Sequence, residues 1–280
     1  MKPDLETQAA KAQAFRAMHR GEKILVLPNA WDVASARILE EAGAAAIATT
    51  SAGVAFTLGY PDGQKISREE MIGAVARIAA KVKVPVTADV ESGYGDRAED
   101  AAQTAKAVIE AGAVGLNLED VAGGPQKQLV DLSLQLEKIK AVRETARTLG
   151  VPLVLNARTD VYLLEVGKPE CRYDEAIRRL AAFRDADADC LFVPGLRDLE
   201  TIARLVRELG HPVNILAGPG SPSIPELQKI GVARASLGSS AMRATLGLAR
   251  RIAQEVLTTG TYKSLEGAPS HTDVNRMMSR

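Results

Sequence analysis

The chain has 280 residues, and its 35 Lys plus Arg balance its 35 Asp plus Glu, leaving no formal net charge at pH 7. A neutral chain has no global electrostatic pull toward nucleic acid or an anionic membrane, so neither is expected as a partner. Apolar residues make up 46% and charged residues 25%, the balance of a soluble globular protein, and no apolar run reaches the length needed to span a bilayer.

One (β/α)8 TIM barrel needs about 250 residues, so a single barrel domain over 1–280 accounts for the chain. Ala, Val, Leu and Ile dominate while aromatics are only 4%, which suits a barrel interior filled by branched aliphatics. Residues 1–20 are polar with a helical pattern, predicting an N-terminal helix rather than the apolar core of a secretion signal. Cys171 and Cys190 have no metal-like spacing and no obvious pairing, so reduced thiols and a cytoplasmic location are expected.

In chain order, β-branched runs at 24–27, 45–49, 84–89, 114–119, 152–157, 189–193, 212–217 and 233–237 read as strands. Amphipathic segments near 32–43, 67–82, 98–111, 132–149, 173–187, 198–209, 222–230 and 240–258 read as helices between them. Eight strands each followed by a helix is the barrel count, and no G-x-G-x-x-G follows the first strand as an open dinucleotide-binding sheet would require. A weak repeat supports the alternation. Glu41-Ala42-Gly43-Ala44, Glu110-Ala111-Gly112-Ala113 and Ile230-Gly231-Val232-Ala233 each end a helix on a glycine, and Asp187 takes that place before the sixth strand. The 240–280 segment is a last helix followed by a polar tail, expected to be loosely ordered or docked on a neighbouring subunit.

In a barrel the side chains just past the C-terminal ends of the strands build the active site. Those positions hold Asn29 and Asp32, Thr50 and Ser51, Asp89 and Glu91, Glu119 and Asp120, then Asn156, Arg158 and Asp160. Asp89 and Glu91 are two apart, a spacing that puts both on one face of a strand, and Glu119 ends the adjacent strand. Three converging carboxylates repel unless a cation neutralises them, and an all-oxygen set without His or Cys suits magnesium, with manganese as a substitute. The competing reading makes them helix caps and exposed loop acids. Arg158 suits bidentate capture of a substrate carboxylate, or an ion pair with Glu119. Thr49-Thr50-Ser51-Ala52-Gly53 offers backbone N–H groups for a carboxylate or oxyanion, a weak signal by itself. Asp62, in Gly59-Tyr60-Pro61-Asp62-Gly63, reads locally as a plain turn.

Over residues 20–258 the chain resembles the isocitrate lyase/phosphoenolpyruvate mutase superfamily. The resemblance is carried by Leu27-Pro28-Asn29-Ala30-Trp31-Asp32, Thr50-Ser51-Ala52-Gly53, Asp89-Val90-Glu91-Ser92-Gly93-Tyr94-Gly95, Leu118-Glu119-Asp120 and Asn156-Ala157-Arg158-Thr159-Asp160. It implies that Asp89 is the principal magnesium ligand and that Glu91 and Glu119 hold metal-bound waters. It further implies that Asp62 lies near metal and substrate, that Thr50, Ser51 and Ala52 bind the substrate carboxylate, and that Arg158, with Asn156 on the same strand, meets its anionic end. Asp62, Glu119 and Arg158 are then the expected catalytic set. The chain departs from the family after the fourth strand. Isocitrate and methylisocitrate lyases carry Lys-x-Cys-Gly-His there, whereas residues 121–131 contain neither cysteine nor histidine. Only Lys127 stands in for the lysine and asparagine of the phosphonomutases.

A magnesium-dependent carbon–carbon lyase tolerates this loop best. It would decarboxylate or cleave a small 2-oxo or 2-hydroxy carboxylate through a pyruvate-like enolate. Phosphoenolpyruvate mutase or phosphonopyruvate hydrolase chemistry, and a non-catalytic 2-oxo acid binder, are the alternatives. Tyr94, Lys127 and water are candidate acid/base groups. The resemblance also implies a homodimer or homotetramer in which the 240–258 helix is exchanged between subunits.

Overall fold

A computed structural model describes residues 4–122 and 128–279. The chain opens with α1 (Leu5–Met18), followed by β1 (Leu25–Leu27), β2 (Asn29–Ala30), α2 (Val33–Glu41), β3 (Ile47–Thr49), α3 (Ser51–Thr57) and α4 (Arg68–Ala79). Next come β4 (Val86–Asp89), α5 (Ala98–Glu110), β5 (Gly115–Glu119), α6 (Leu132–Thr148), β6 (Val154–Arg158) and α7 (Arg172–Asp185). The chain ends with β7 (Cys190–Phe192), α8 (Leu199–Leu209), β8 (Val213–Leu216), α9 (Ile224–Lys229), β9 (Arg234–Ser236), α10 (Ser240–Thr258) and α11 (His271–Met278).

All the strand pairs are parallel, in the order β1-β9-β8-β7-β6-β5-β4-β3-β2. Only Pro28 separates β1 from β2. Lacking an N–H, it breaks the ladder there, so the first half pairs with β9 and the second with β3. The two halves are one barrel strand, and that strand closes the ring. Asn29 ties the seam, its amide donating to Thr49 O and its Oδ1 accepting from Leu237 and Gly238 N–H. The expected eight strands are therefore present, with the first one split.

β4 and β5 are buried along their whole lengths and β6 up to Arg158, as expected of a parallel sheet covered by helices. Aliphatics expected inside the ring are there, since the register puts Leu25, Leu27 and Val154 on the inward face, but they share it with a polar network in which Asn117 on β5 bonds Asp89 on β4, Asn156 on β6 and, across the ring, Arg234 on β9. By strand alternation Leu116, Leu118, Leu155 and Ala157 face the helices instead, where the apolar core sits. Helix α1 covers the N-terminal end of the ring. Its buried Gln8 donates to Ile109 O and Ala113 O. Its Phe15 lies so close to Gly115 that a Cβ there would come 3.0 Å from the ring and 2.9 Å from Thr87 Oγ1.

Two local expectations change. The Thr50–Gly53 stretch is no open turn but the start of α3, with Thr50 as N-cap accepting from Gly53 N–H. The tail carries α11, which packs on this chain's own α2. Met277 is buried, and its carbonyl accepts from Arg37 Nε at 3.1 Å.

Candidate active site

The third barrel strand ends at Asp89, whose carboxylate is fixed from two sides. Its Oδ2 accepts from Ser51 N–H at 3.1 Å and Ser51 Oγ at 2.8 Å, and its Oδ1 accepts from Asn117 Nδ2 at 3.4 Å. Glu91 is not on that strand, contrary to the one-face argument from spacing. The strand stops two residues earlier, and Glu91 takes a left-handed backbone with φ 52°. Its Oε2 accepts from the N–H of Gln64, itself left-handed at φ 55°. A side-chain-bearing residue in that region costs on the order of 1 kcal/mol, and such strain collects at functional sites. The turn, rather than the pleat, brings Glu91 to the site. Lys138 of α6 holds the turn from beneath, its buried ammonium donating to Ser92 O at 3.1 Å and Gly95 O at 2.8 Å.

Glu119 and Arg158 end β5 and β6 in direct register, so their side chains lie side by side with Nη1 2.9 Å from Oε2. The guanidinium fork itself is occupied by Asp160, with Nε to Oδ1 at 2.6 Å and Nη2 to Oδ2 at 2.8 Å. Phe192 packs under the guanidinium at 5.6 Å. Bidentate capture of a substrate by Arg158 is thereby corrected. Three of its five N–H groups are committed, and the remainder suit single hydrogen bonds.

These groups face one enclosed cavity of about 280 Å³ at the C-terminal ends of the strands, lined by Ser51, Asp62, Gln64, Glu91, Glu119, Arg158 and Asp160 with Val121, Leu163 and Leu164 as apolar wall. A wider cleft of about 770 Å³ lies elsewhere, beside α6. Its acids Glu144, Asp185 and Asp187 are surface groups paired with Arg147, Arg184 and Arg143, so it gathers no comparable chemistry. Burial pushes Glu91 up to about 7, with Asp62 and Asp89 adding repulsion. Glu119 is raised well above the carboxylate range by burial, against the pull of Arg158. Burial opposes the charge of Arg158, yet Glu119 and Asp160 hold its pKa above the ordinary arginine value. The Tyr94 hydroxyl is raised too, by burial and then by Glu91 and Asp89.

Of the residues singled out from the sequence, Ser51, Asp62, Glu91, Glu119 and Arg158 share the cavity, and Asp89 is bonded to its wall through Ser51. Thr50 and Ala52 are buried in the first turn of α3 and do not line it. Asn156 lies below it, fully buried and bonded to Asn117. Asp32 caps α2, and Asp120 is a buried anchor for Arg179, Thr159 and the Asp160 N–H. Sequence reasoning missed Gln64 and Asn117. Gln64 sits beside Asp62 in a turn that looked plain, and Asn117 is two residues before Glu119, a same-face spacing that offered the signal. Lys127 lies outside the described residues.

Among the described residues no three Asp, Glu, His or Cys side chains form a ready-made metal cage. The donor chemistry nevertheless fits magnesium or manganese. Every acid at the cavity is a hard oxygen donor, and Glu91 and Glu119 are raised partly by neighbouring negative charge that a cation would offset. Magnesium dehydrates reluctantly and takes only one or two carboxylates directly, so it does not need three converged ligands.

A parallel barrel with acids and one arginine at its strand ends defines a class of small-molecule enzyme sites. The profile of the phosphoenolpyruvate phosphomutase family matches residues 15–257, and the chain belongs to this family, within the isocitrate lyase/phosphoenolpyruvate mutase superfamily. A Burkholderia cenocepacia J2315 structure with a provisional lyase/mutase assignment is 39% identical, with a TM-score of 0.91 and 98% of each chain covered. The 2-methylisocitrate lyase of Salmonella typhimurium is 30% identical over 90% of this chain and 87% of its own. An oxaloacetate decarboxylase of Ectopseudomonas mendocina is 29% identical over 78% of this chain and 73% of its own.

Proposed function

We propose that this protein is a magnesium-dependent carbon–carbon lyase for a small 2-oxo or 2-hydroxy carboxylate, acting by decarboxylation or retro-aldol cleavage through a pyruvate-like enolate. The observation that carries the reading is the single cavity in which Asp62, Glu91 and Glu119 face Arg158. Asp89 would hold the cation directly, with Glu91 and Glu119 through bound water. When bound, the cation would supply a Lewis acid that stabilises negative charge developing on the substrate. The uncommitted N–H groups of Arg158 meet the substrate's far anionic end, and Asp160 and Phe192 fix the orientation of the guanidinium at the wall. Val121, Leu163 and Leu164 give that side an apolar wall. The relatives named as lyase and decarboxylase are in keeping with cleavage next to a carboxylate.

Purified protein with magnesium is expected to release a pyruvate-type product from at least one member of a panel of 2-oxo and 2-hydroxy diacids. Asp89→Ala should lose that activity by at least 100-fold, the upper scale of losing a metal-site partner. No product across the panel ends the lyase reading, while full activity of Asp89→Ala ends the metal assignment alone.

A further inference from the structure

Arg234 on β9 is fully buried inside the ring, and its one side-chain hydrogen bond among the described residues runs from Nη2 to Asn117 Oδ1 at 3.3 Å. Its Nε and Nη1 meet no acceptor there. A buried guanidinium without a carboxylate partner is costly and needs a compensating role. The neighbouring thiol of Cys190 and imidazole of His19 give no countercharge at neutral pH. Burial pushes Cys190 up to about 12 and, with Arg234 adding, brings His19 down to about 4. Burial lowers Arg234 itself to about 10, which leaves it charged, and Asp89 is the carboxylate whose attraction it feels.

The hydrogen bonds explain what this cation does. Asn117 Oδ1 accepts from Arg234 and, at 2.8 Å, from Asn156 Nδ2, while Asn117 Nδ2 donates to Asp89 Oδ1. An asparagine amide reads equally well turned over unless a neighbour fixes it, and Asn156 is another such amide. Arginine can only donate. Together with the Asp89 carboxylate, which can only accept, it holds the Asn117 oxygen toward itself and the Asn117 N–H toward the carboxylate. We propose that Arg234 is a positioning residue: through Asn117 it sets the polarity of the barrel interior and so the orientation of Asp89. The part of this that concerns the cation rests on the metal reading above. The relay itself does not.

Selective 15N-asparagine labelling of the metal-free protein reads the relay directly. The Asn117 side-chain N–H facing a carboxylate should appear at low field and exchange slowly, persist in Arg234→Lys and be lost in Arg234→Met. An Arg234→Met spectrum that keeps it overturns the proposal. Mn2+ titration reads the consequence. Arg234→Met should bind about 10-fold more weakly and Arg234→Lys within about threefold of wild type. Asn117→Ala should match the Arg234→Met loss, and adding Arg234→Met to it should cost nothing more. Unchanged affinity in Asn117→Ala, a variant that keeps Arg234 and does not depend on the fold of Arg234→Met, would sink the idea, as would an additive double variant. Wild-type protein that binds no Mn2+ defeats the metal reading and leaves the labelling result to decide the relay.

Discussion

Glu91 shows how one residue combines strain, burial and charge. Its folded pKa of about 7 lies above the ordinary carboxylate value because the side chain is buried next to Asp62 and Asp89. Between about 4.5 and 7 the metal-free folded state therefore holds a proton that the unfolded chain has lost. This contribution to stability is fully present below the unfolded pKa and is lost as pH rises through the folded pKa. Glu91→Gln keeps an acceptor for the Gln64 N–H and removes the titration. The melting temperature of Glu91→Gln minus that of wild type, without metal, should rise across this window and level off above pH 7. A difference that stays flat with pH contradicts the assignment. The acids at Asp89, Glu91 and Glu119 were legible because each lies at or just past the end of a β-branched run. The fork of Arg158 was not. Its Asp160 partner is two residues away, and only the backbone path after β6 turns that carboxylate back onto the guanidinium.

At the scale of elements, helix ends followed the sequence closely because their chemistry is local. Gly43, Gly112 and Gly231 take the left-handed residue after α2, α5 and α9, and Asp187 takes it after α7 with φ 71°. Asp187 is exposed, and its contact with Arg143 is a loose 3.7 Å, so little offsets the backbone cost. Asp187→Gly is expected to stabilise the fold by about 0.5–1 kcal/mol, read as a higher denaturant midpoint at unchanged slope. A lower midpoint would show that the Arg143 contact outweighs the backbone. Helix α3 was read as a turn because seven residues that begin Ser51-Ala52-Gly53 carry no visible period. Burial against α4 and the Thr50 cap make it helical. The expected strand 24–27 is β1, and the barrel strand runs on past its predicted end as β2, because Pro28 cannot donate to a ladder and breaks the pairing between the two.

At the scale of the whole molecule, α10 is the element without enough cover. Only Met242 of its 19 residues is buried, and Leu246 and Leu257 are 50% and 84% exposed. We propose that it is covered by a second copy of the chain, and light scattering after size exclusion should return a dimer or tetramer. A monomer at micromolar concentration rules this out. Among the described helices none is long and apolar enough to cross a membrane. The alternation of strand and helix, the barrel count and the acids at the strand ends were determined by sequence alone, because periodicity, caps and strand-end position are written within a few residues of one another. The polar network inside the ring, the Asp160 fork and the hydrogen bonds joining Arg234, Asn117 and Asp89 were decided only by the tertiary structure. Each joins side chains brought together by the closure of the ring or the path of a turn, and charge and hydrogen-bond complementarity at those meetings leave no periodic trace along the chain.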